Sequence, residues 1–576
     1  MMDNGKIADH FEELADLMEF RSENPFRVRA YRNGSKAIRD LGESVTAILT
    51  DPSRKLDAVP GIGKGLVDQT RALVETGRLP QLEKLRQEVP EIVLLMARIP
   101  GLGAKKAVVL HQELKLETLD DLRRACEQDV VKQLKGFAAK TQQVILEGLE
   151  IAEAAAERIY WANGDQLAQA IAVHMRQCDG ITRMEWAGSY RRGRETVGDL
   201  DLLVVASDRQ LAMDQFESFP QRSQTMMRGD TKVSIRVGKA FQVDLRLVEE
   251  DEFGAALQYF TGSQAHNVHV RRIAKQNGLK VNEYGVFRID DQSRVAGASE
   301  EEVYQAIGLP WISPELREDR GELTGDLVSP EDLLEISQLR GDLHMHTTAT
   351  DGEATIREMA DAAIERGLTY IAITDHSQRV SMAMGLDPKR LREQWRSIDA
   401  IRPEYEGRLE ILKGIECDIL EKGGMDLPDD CLEEADWVLA SIHYGQKQSR
   451  DQITDRLLGA LENPHVDCIA HPTGRLLNRR RPYEVDMEAV MDCAKRQGKL
   501  MELNANPARL DLNEVHLAAA KRRGIPIVIS TDAHSIVGLD VMRYGVLQAR
   551  RGGLVAANVA NTLDWPEMKR RWLSAD

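Results

Sequence analysis

Two groups of residues in this 576-residue chain have types and spacings suited to metal-assisted phosphate chemistry. The first lies in residues 188–205, GSYRRGRETVGDLDLLVV. Gly188-Ser189 is a small-residue turn, followed by Arg191, Arg192 and Arg194. Gly198 then leads into Asp199-Leu200-Asp201 and the apolar run Leu202 to Val205. That run is short, aliphatic and β-branched, which predicts a buried strand. Strand side chains alternate faces, so Asp199 and Asp201 point the same way. Paired carboxylates repel each other unless a cation lies between them. A hard divalent ion takes such oxygens together with substrate phosphates. A second predicted strand, Phe241 to Val248, supplies a third carboxylate, Asp244. Three acids on adjacent strands make a cradle for two-metal phosphoryl transfer. A lone DxD is ordinarily a solvated strand end. The turn, the arginines and the third acid set this one apart.

The second group is imidazole-rich. Asp342-Leu-His344-Met-His346 is followed by Asp351, Thr374-Asp-His376, Gly414-Ile-Glu416, Ser441-Ile-His443, Ala470-His471-Pro and Thr531-Asp532-Ala-His534. His344 and His346 share a face of an extended segment. His376, Glu416, His443, His471 and Asp532 each fall just after a predicted apolar strand. In a parallel barrel those positions converge at the C-terminal face. A single strand-end histidine is usually a packing residue. Here six of the chain's 13 histidines join three acids. Mixed imidazole and carboxylate donors suit zinc, manganese or iron better than magnesium alone.

The elements that must position these groups follow from periodicity. Residues 6–50 show helical spacing, with Phe11, Leu14, Leu17, Met18 and Phe20 on one stripe. Val59-Pro-Gly61-Ile-Gly63-Lys64-Gly-Leu66 and Ile99-Pro-Gly101-Leu-Gly103-Ala-Lys105-Lys106-Ala107 form an internal repeat between helical patterns. Both fit a helix-hairpin-helix pattern, in which glycines permit a tight turn and amides at the next helix N-terminus hold a phosphate. Such contacts carry no sequence information. Strand-rich αβ sequence follows to about 310. Residues 312–336 are polar and acidic and read as a linker. From 337 onward apolar strands alternate with helical segments, which predicts parallel α/β. The expected organisation is therefore a helical region over 1–150, an α+β region over 151–311, the linker over 312–336, and an α/β metal domain over 337–576.

Composition is that of a globular chain, 42% hydrophobic and 29% charged, and its length demands several domains. The net charge of −17 argues by itself against a nucleic-acid binder. Two points weaken that objection. Metal-site carboxylates inflate the acid count and are neutralised by their ions, and phosphate binding needs only a local basic or amide-rich surface. Six scattered cysteines without a CxxC pair fit reduced thiols. No apolar run reaches the length of a membrane span, and the N-terminus lacks the pattern of a signal peptide. A cytoplasmic chain is expected.

With these residues in view, residues 1–310 resemble the family X DNA polymerases. Gly188, Ser189, Arg192, Gly193, Gly198, Asp199 and Asp201 match the family's GS…RRG…GDxD pattern, and Asp244 its third aspartate. Tyr259-Phe-Thr-Gly-Ser-Gln-Ala-His-Asn267 matches its nucleotide-pocket segment, and Asn282-Glu283-Tyr284 another. The resemblance implies a nucleotidyltransferase palm and thumb, with Asp199, Asp201 and Asp244 holding Mg2+ or Mn2+. It implies that Ser189, Arg192 and Gly198 serve the triphosphate, Tyr259, Phe260 and Gly262 the sugar, and Asn267 and Arg271 the minor-groove side. Gly61, Gly63, Lys64, Gly101, Gly103 and Lys105 would meet DNA. One departure stands out. Gln69 occupies the position of the lysine that forms a Schiff base in the polymerase beta branch, and an amide is no amine nucleophile.

Residues 337–576 resemble the PHP (polymerase and histidinol phosphatase) domain, with all nine ligand positions of that pattern filled. This implies a distorted β/α barrel holding up to three ions of Mn2+, Zn2+ or Fe2+. It also implies a 3′–5′ exonuclease and, in some members, abasic-site cleavage. Together the resemblances predict a monomeric gap-filling repair polymerase acting on gapped or primed DNA and deoxynucleoside triphosphates, without a membrane role. The alternatives are a nucleotidyltransferase on another acceptor with a PHP small-molecule phosphatase, and a non-catalytic DNA-gap binding module.

Overall fold

The structure is a computed structural model of the chain. It describes residues 158–238, 241–325, 328–477, 480 and 482–573 throughout. Before residue 158 it describes the stretches 23–39, 45–50, 54–58, 62–88 and 102–134, with scattered positions elsewhere. Two compact units form, one from residues 1–158 with 236–241 and one from 159–235 with 242–576.

The first unit is helical. Its described helices include Pro25–Arg39, Lys64–Thr76, Pro80–Glu88, Gly103–Leu114 and Leu119–Glu127. The predicted stripe residues Phe11, Leu14, Leu17 and Met18 are buried with Tyr31, Ile38 and Leu73, while Phe20 lies outside the described residues. The helix Lys64–Thr76 starts from an extended Gly63 without a side-chain cap and ends at Gly77. Gly77 has φ 69°, the left-handed conformation that glycine adopts without strain.

The second unit contains a five-stranded sheet (apart from its strand-end residues 236, 237 and 241), a small three-stranded sheet and a parallel barrel. A short pair, β1 (Ile159–Tyr160) with β3 (Thr196–Val197), lies at its start. The five-stranded sheet comprises β2 (Ile181–Trp186), β4 (Asp199–Ala206), β5 (Arg222–Arg228), β6 (Lys232–Val237) and β7 (Phe241–Leu247), in the order β2, β4, β7, β6, β5. The predicted apolar run is the middle of β4, where Leu202, Leu203 and Val204 are fully buried. Each such side chain contributes roughly 1.5–3 kcal/mol by leaving water. An antiparallel sheet of β8 (Leu279–Asn282), β9 (Gly285–Arg288) and β10 (Arg294–Ala296) packs with the helices Phe253–Thr261 and Gln264–Gln276.

The barrel strands are β11 (Gly341–Asp342), β12 (Tyr370–Ile373), β13 (Glu410–Asp418), β14 (Trp437–Ser441), β15 (Cys468–Ile469), β16 (Leu500–Asn504) and β17 (Ile527–Ser530), all parallel and in sequence order. Parallel neighbours need crossover segments, and helices such as Ile356–Glu365 and Arg450–Glu462 supply them. Both helices open on capping boxes, Thr355 with Glu358 and Ser449 with Gln452. Strands buried on both faces read as continuous apolar runs, as β12 and β17 do. The ends of the sheet meet where the Asp532 amide donates to the His344 carbonyl at 2.9 Å and the His346 amide to Ala533 at 2.8 Å.

Of residues 312–336, read as a linker from their polarity, several described positions are packed. Ile312, Ser313, Arg317, Glu318, Leu333 and Leu334 are buried. The polar residues mislead because their charges are paired. Arg317 donates to both Glu300 oxygens, at 2.5 and 3.1 Å, and to the Ile312 carbonyl, and Arg191 meets Glu300 at 2.8 Å. Burial opposes ionisation of Glu300, yet Arg317 and Arg191 hold its carboxyl far below the ordinary range. Its folded value is below its unfolded one. The stabilisation is therefore complete above about pH 4.3, the ordinary glutamate value, and falls as pH drops towards the folded value. Glu300→Gln leaves the buried Arg317 uncompensated and should cost about 3–5 kcal/mol. Urea unfolding, with hydrogen exchange across residues 300–317, measures this. A loss under about 1 kcal/mol would mean that the cluster is not a structural anchor.

Candidate active sites: two carboxylate centres

The first centre depends on strand register. β4 and β7 run parallel with Asp201 opposite Asp244 and Asp199 opposite Gln242. Alternation then brings all three predicted acids to one face. Asp199 is exposed, Asp201 half-buried and Asp244 buried. Burial, then the Asp199 and Asp244 carboxylates, push the Asp201 carboxyl up to about 7. Two cations moderate this charge. Lys232 Nζ lies 2.5 Å from Asp244, and Arg246 lies 3.9 Å from both Asp201 and Asp244. Gln242 Nε2 donates to Asp244 at 2.8 Å. Gly188 has φ 66°, and a Cβ there would come within 2.8 Å of the Asp201 carboxylate, so this turn needs glycine twice over. An all-oxygen donor set that proteinic cations already flank fits a hard divalent ion. Arg246 was legible as the same-face neighbour of Asp244, two residues on. Lys232 was not, because its position depends on the sheet order.

The predicted nucleotide-site residues surround this edge. Ser189 lies in the short helix Gly188–Arg191, and Gly198 is exposed just before β4. Arg192 Nε meets Glu318 at 3.1 Å, and its Nη1 donates to the Thr261 carbonyl. Tyr259 and Phe260 contact edge to face at 5.1 Å, and Arg246 lies over the Phe260 ring at 4.2 Å. Gly262 has φ 73°, and a Cβ there would sit 3.1 Å from Arg192 Nη1. Asn267 is turned inward. Its amide donates to the Tyr259 carbonyl at 2.7 Å and accepts from Gln258 at 2.8 Å, so in this state it braces the aromatic pair. Arg271 is exposed on the same helix. Asn282 forms the turn between β8 and β9, accepting from the Tyr284 and Gly285 amides.

The hairpin residues belong to the first unit. Gly63 and Lys64 start a helix, and a Cβ on Gly63 or Gly65 would meet nothing within 4 Å. Gly103 starts the helix Gly103–Leu114. Gly61, Gly101 and the Lys105 side chain lie outside the described residues. Gln69 donates to the Tyr31 hydroxyl at 2.6 Å.

The second centre gathers all nine predicted residues at the C-terminal end of the barrel. Glu416 is its hub. Its carboxylate lies 3.6 Å from His344, 3.8 Å from His346, 2.7 Å from His376, 3.4 Å from His443 and 2.9 Å from His471. Asp532 meets His346 at 3.2 Å, and Asp351 meets His376 at 3.4 Å and His534 at 3.6 Å. One expectation needs correction. Glu416 lies inside β13, not after it, because that strand runs on to Asp418. Asp351 and His534 mark the open side, while His344, His346 and Glu416 are fully buried.

Three groups of donors come within 4.8 Å of one another: His346, Asp351, His376 and His534; His344, His346 and Glu416; and His376, Glu416 and His443. Buried His344 Nε2 and His346 Nδ1 lack a hydrogen-bond partner, and His376 Nδ1 and Glu416 Oε2, 2.7 Å apart, are not aligned as a hydrogen bond. Orphaned polar atoms of this kind are costly, and inward-facing imidazole and carboxylate donors fit transition-metal or zinc ions. Burial opposes protonation of His376, yet Glu416 and Asp351 push it up to about 10. Burial and the neighbouring His376 push His346 down to about 4. Metal binding at such groups would release protons.

An outer ring missed in the sequence orients the donors. Glu502 accepts from His344 Nδ1 at 2.7 Å and from the His471 amide at 2.6 Å. Asp418 accepts from the His443 amide at 2.9 Å. Asn504 donates to Asp532 at 3.0 Å, and Arg509 lies 3.3 Å from the same carboxylate. Asp418 and Glu502 had signals, as a same-face neighbour of Glu416 and as an acid within an apolar strand. Arg509, in a loop, had none. His471 and Asp532 adopt φ 28° and 55°. Left-handed backbone costs a non-glycine residue about 1–3 kcal/mol, and the bonds to Glu502 and His344 hold it in place.

Comparison with known proteins finds relatives for both the palm region and the barrel. Family models match a helix-hairpin-helix domain over residues 2–79, a DNA polymerase beta palm over 158–245, a DNA polymerase beta thumb over 256–318 and a PHP domain over 342–506. The chain is 42% identical over 552 residues to the DNA polymerase/3'-5' exonuclease PolX of Bacillus subtilis (strain 168), covering 96% of each. It is 32% identical over 234 residues to a probable phosphatase of Thermoanaerobacter sp. (strain X514), covering 38% of this chain and 89% of that protein. It is 23% identical over 343 residues to DNA polymerase lambda of Rattus norvegicus, covering 55% of this chain and 56% of that protein. A relative this similar along nearly its whole length decides the matter: the chain belongs to the PolX group of family X DNA polymerases, which join a polymerase beta-like core to a PHP domain.

Proposed function

We propose that the chain is a template-directed, gap-filling DNA polymerase with a 3′–5′ exonuclease centred on Glu416. The observation that carries this reading is that one unit holds two complete and disjoint donor sets. The acids Asp199, Asp201 and Asp244 share one sheet face, and eight imidazole and carboxylate residues gather around Glu416. Asp199, Asp201 and Asp244 would hold Mg2+ or Mn2+, and the PHP residues would hold Mn2+, Zn2+ or Fe2+. Bound divalent ions supply charge neutralisation at phosphate and acidify the attacking oxygen. The chain's own residues position the reactants. Ser189 and Arg192 receive the triphosphate, the Tyr259–Phe260 pair packs against the sugar, and the hairpin amides at Gly63 and Lys64 receive the DNA backbone. Abasic-site cleavage is proposed for the PHP centre as well.

A second reading, a small-molecule phosphatase in the barrel half, is favoured by the probable phosphatase that aligns with that part of the chain. Release of phosphate from p-nitrophenyl phosphate, without shortening of a labelled primer, would select it.

Asp244→Asn removes a carboxylate that no neighbour replaces. It should lower primer extension roughly a thousandfold, about 4 kcal/mol of barrel-independent transition-state stabilisation, with primer shortening intact. Extension at the parental rate would remove the acid cradle from the mechanism. Glu416→Gln should deplete bound metal and abolish shortening in Mn2+ while extension persists. Metal analysis beside a gel of one labelled primer reads both, and unchanged shortening would end the assignment of the nuclease to this centre. Borohydride trapping on an incised abasic site should give little adduct, because Gln69 replaces the lysine. A strong adduct mapped to residues 1–150 would show that another amine serves.

A further inference from the structure

Arg192 is fixed by residues from both halves of the second unit. Its Nε meets Glu318 at 3.1 Å and its Nη1 donates to the Thr261 carbonyl. Two edges of the guanidinium are therefore occupied, and planar geometry leaves Nη2 for a ligand. Glu318 is itself held. Arg551, at the end of the barrel-half helix Met542–Arg551, reaches Glu318 at 3.2 Å, donates to the Arg192 carbonyl at 2.6 Å and meets Glu514 at 2.9 Å. Arg194 contributes at 3.5 Å. The same helix abuts the next residue, since a Cβ on Gly193 would come within 2.6 Å of Leu547. Arg551 is 1% exposed, so these charge-assisted bonds are sheltered from water and salt. Burial works against the Glu318 charge, yet Arg551, Arg192 and Arg194 hold its carboxyl down at about 2. It is an anion at any working pH. Arg192, Arg194 and Arg551 outnumber the acids Glu318 and Glu514, and the excess positive charge suits a polyanion.

We propose that Arg551, in the PHP half, is a positioning residue for the polymerase reaction: through Glu318 and the Arg192 carbonyl it presents the Arg192 guanidinium to the incoming nucleoside triphosphate. The inference rests on the reading that Arg192 receives the triphosphate. Pre-positioning removes the ordering cost of a long side chain from the binding step. Its loss therefore weakens nucleotide binding more than it slows chemistry.

The test is single-nucleotide insertion into a one-nucleotide gap in Mg2+, with the full-length chain. Arg551→Met should raise KM for the deoxynucleoside triphosphate roughly tenfold and change kcat less than about twofold. Affinity for the gapped duplex and the rate of primer shortening should stay at parental values. Arg551→Lys, which keeps the charge but loses the forked geometry, should recover part of the loss. Glu318→Gln should raise KM in the same direction and decides the matter if Arg551→Met does not fold. An unchanged KM in a folded Arg551→Met overturns the proposal. A fall in KM also overturns it, because Glu318 would then compete with the triphosphate for Arg192. Arg192→Gln separates the two claims. If it leaves KM unchanged, the underlying triphosphate assignment has failed; if it raises KM while Arg551→Met does not, only the positioning role has failed.

Discussion

A buried charge must be met by an opposite one, and the second unit is organised by this constraint. Glu416 is a carboxylate almost without exposure in the middle of an apolar barrel. Unpaired, such a group would be far too costly to keep ionised. Five imidazoles within 3.8 Å make it tenable. Each of them comes from a different strand end or adjoining loop except the His344 and His346 pair. The barrel has to be parallel, closed and in register for these donors to meet.

The same rule operates at the palm with less burial. Asp201 and Asp244 are opposed in parallel register, and the Lys232 and Arg246 cations moderate the repulsion. The Asp201 carboxyl still responds, rising to about 7. Burial and the neighbouring carboxylates thus leave the charge of this site not fully matched by protein alone. At the palm the protein's own compensation is incomplete, which leaves a place for a metal ion.

How far the sequence could be read followed from the range of the interactions. Alternation is local, so Asp199 and Asp201, and His344 and His346, were legible as same-face pairs. Strand-end positions were legible because a short apolar run marks its own end. Glu416 was misplaced by this rule, since β13 continues through Glu416-Cys417-Asp418, where Ser377 and His443, just past β12 and β14, bond Asp418. Lys232 was hidden because nothing local says that β6 lies beside β7. Residues 312–336 looked loose because composition counts charges without their partners, and Arg317 and Glu318 have partners far away in sequence. The inward turn of Asn267 was equally hidden, because the Tyr259 carbonyl it braces is a backbone atom.

The junction between palm and barrel has a consequence for how such a chain can be inherited. Glu195 pairs with Arg475, Asp165 with Arg543, Glu315 with Arg550 and Glu318 with Arg551. In these four pairs the acid lies before residue 337 and the base after it, while Arg320 and Glu514 pair in the opposite sense at 3.1 Å. A gene split there would leave one product with mostly uncovered acids and the other with mostly uncovered bases, each stripped of its counter-charge. The halves are modular in their chemistry but not in their surfaces, and a substitution on one side of the seam restricts what the other side can become.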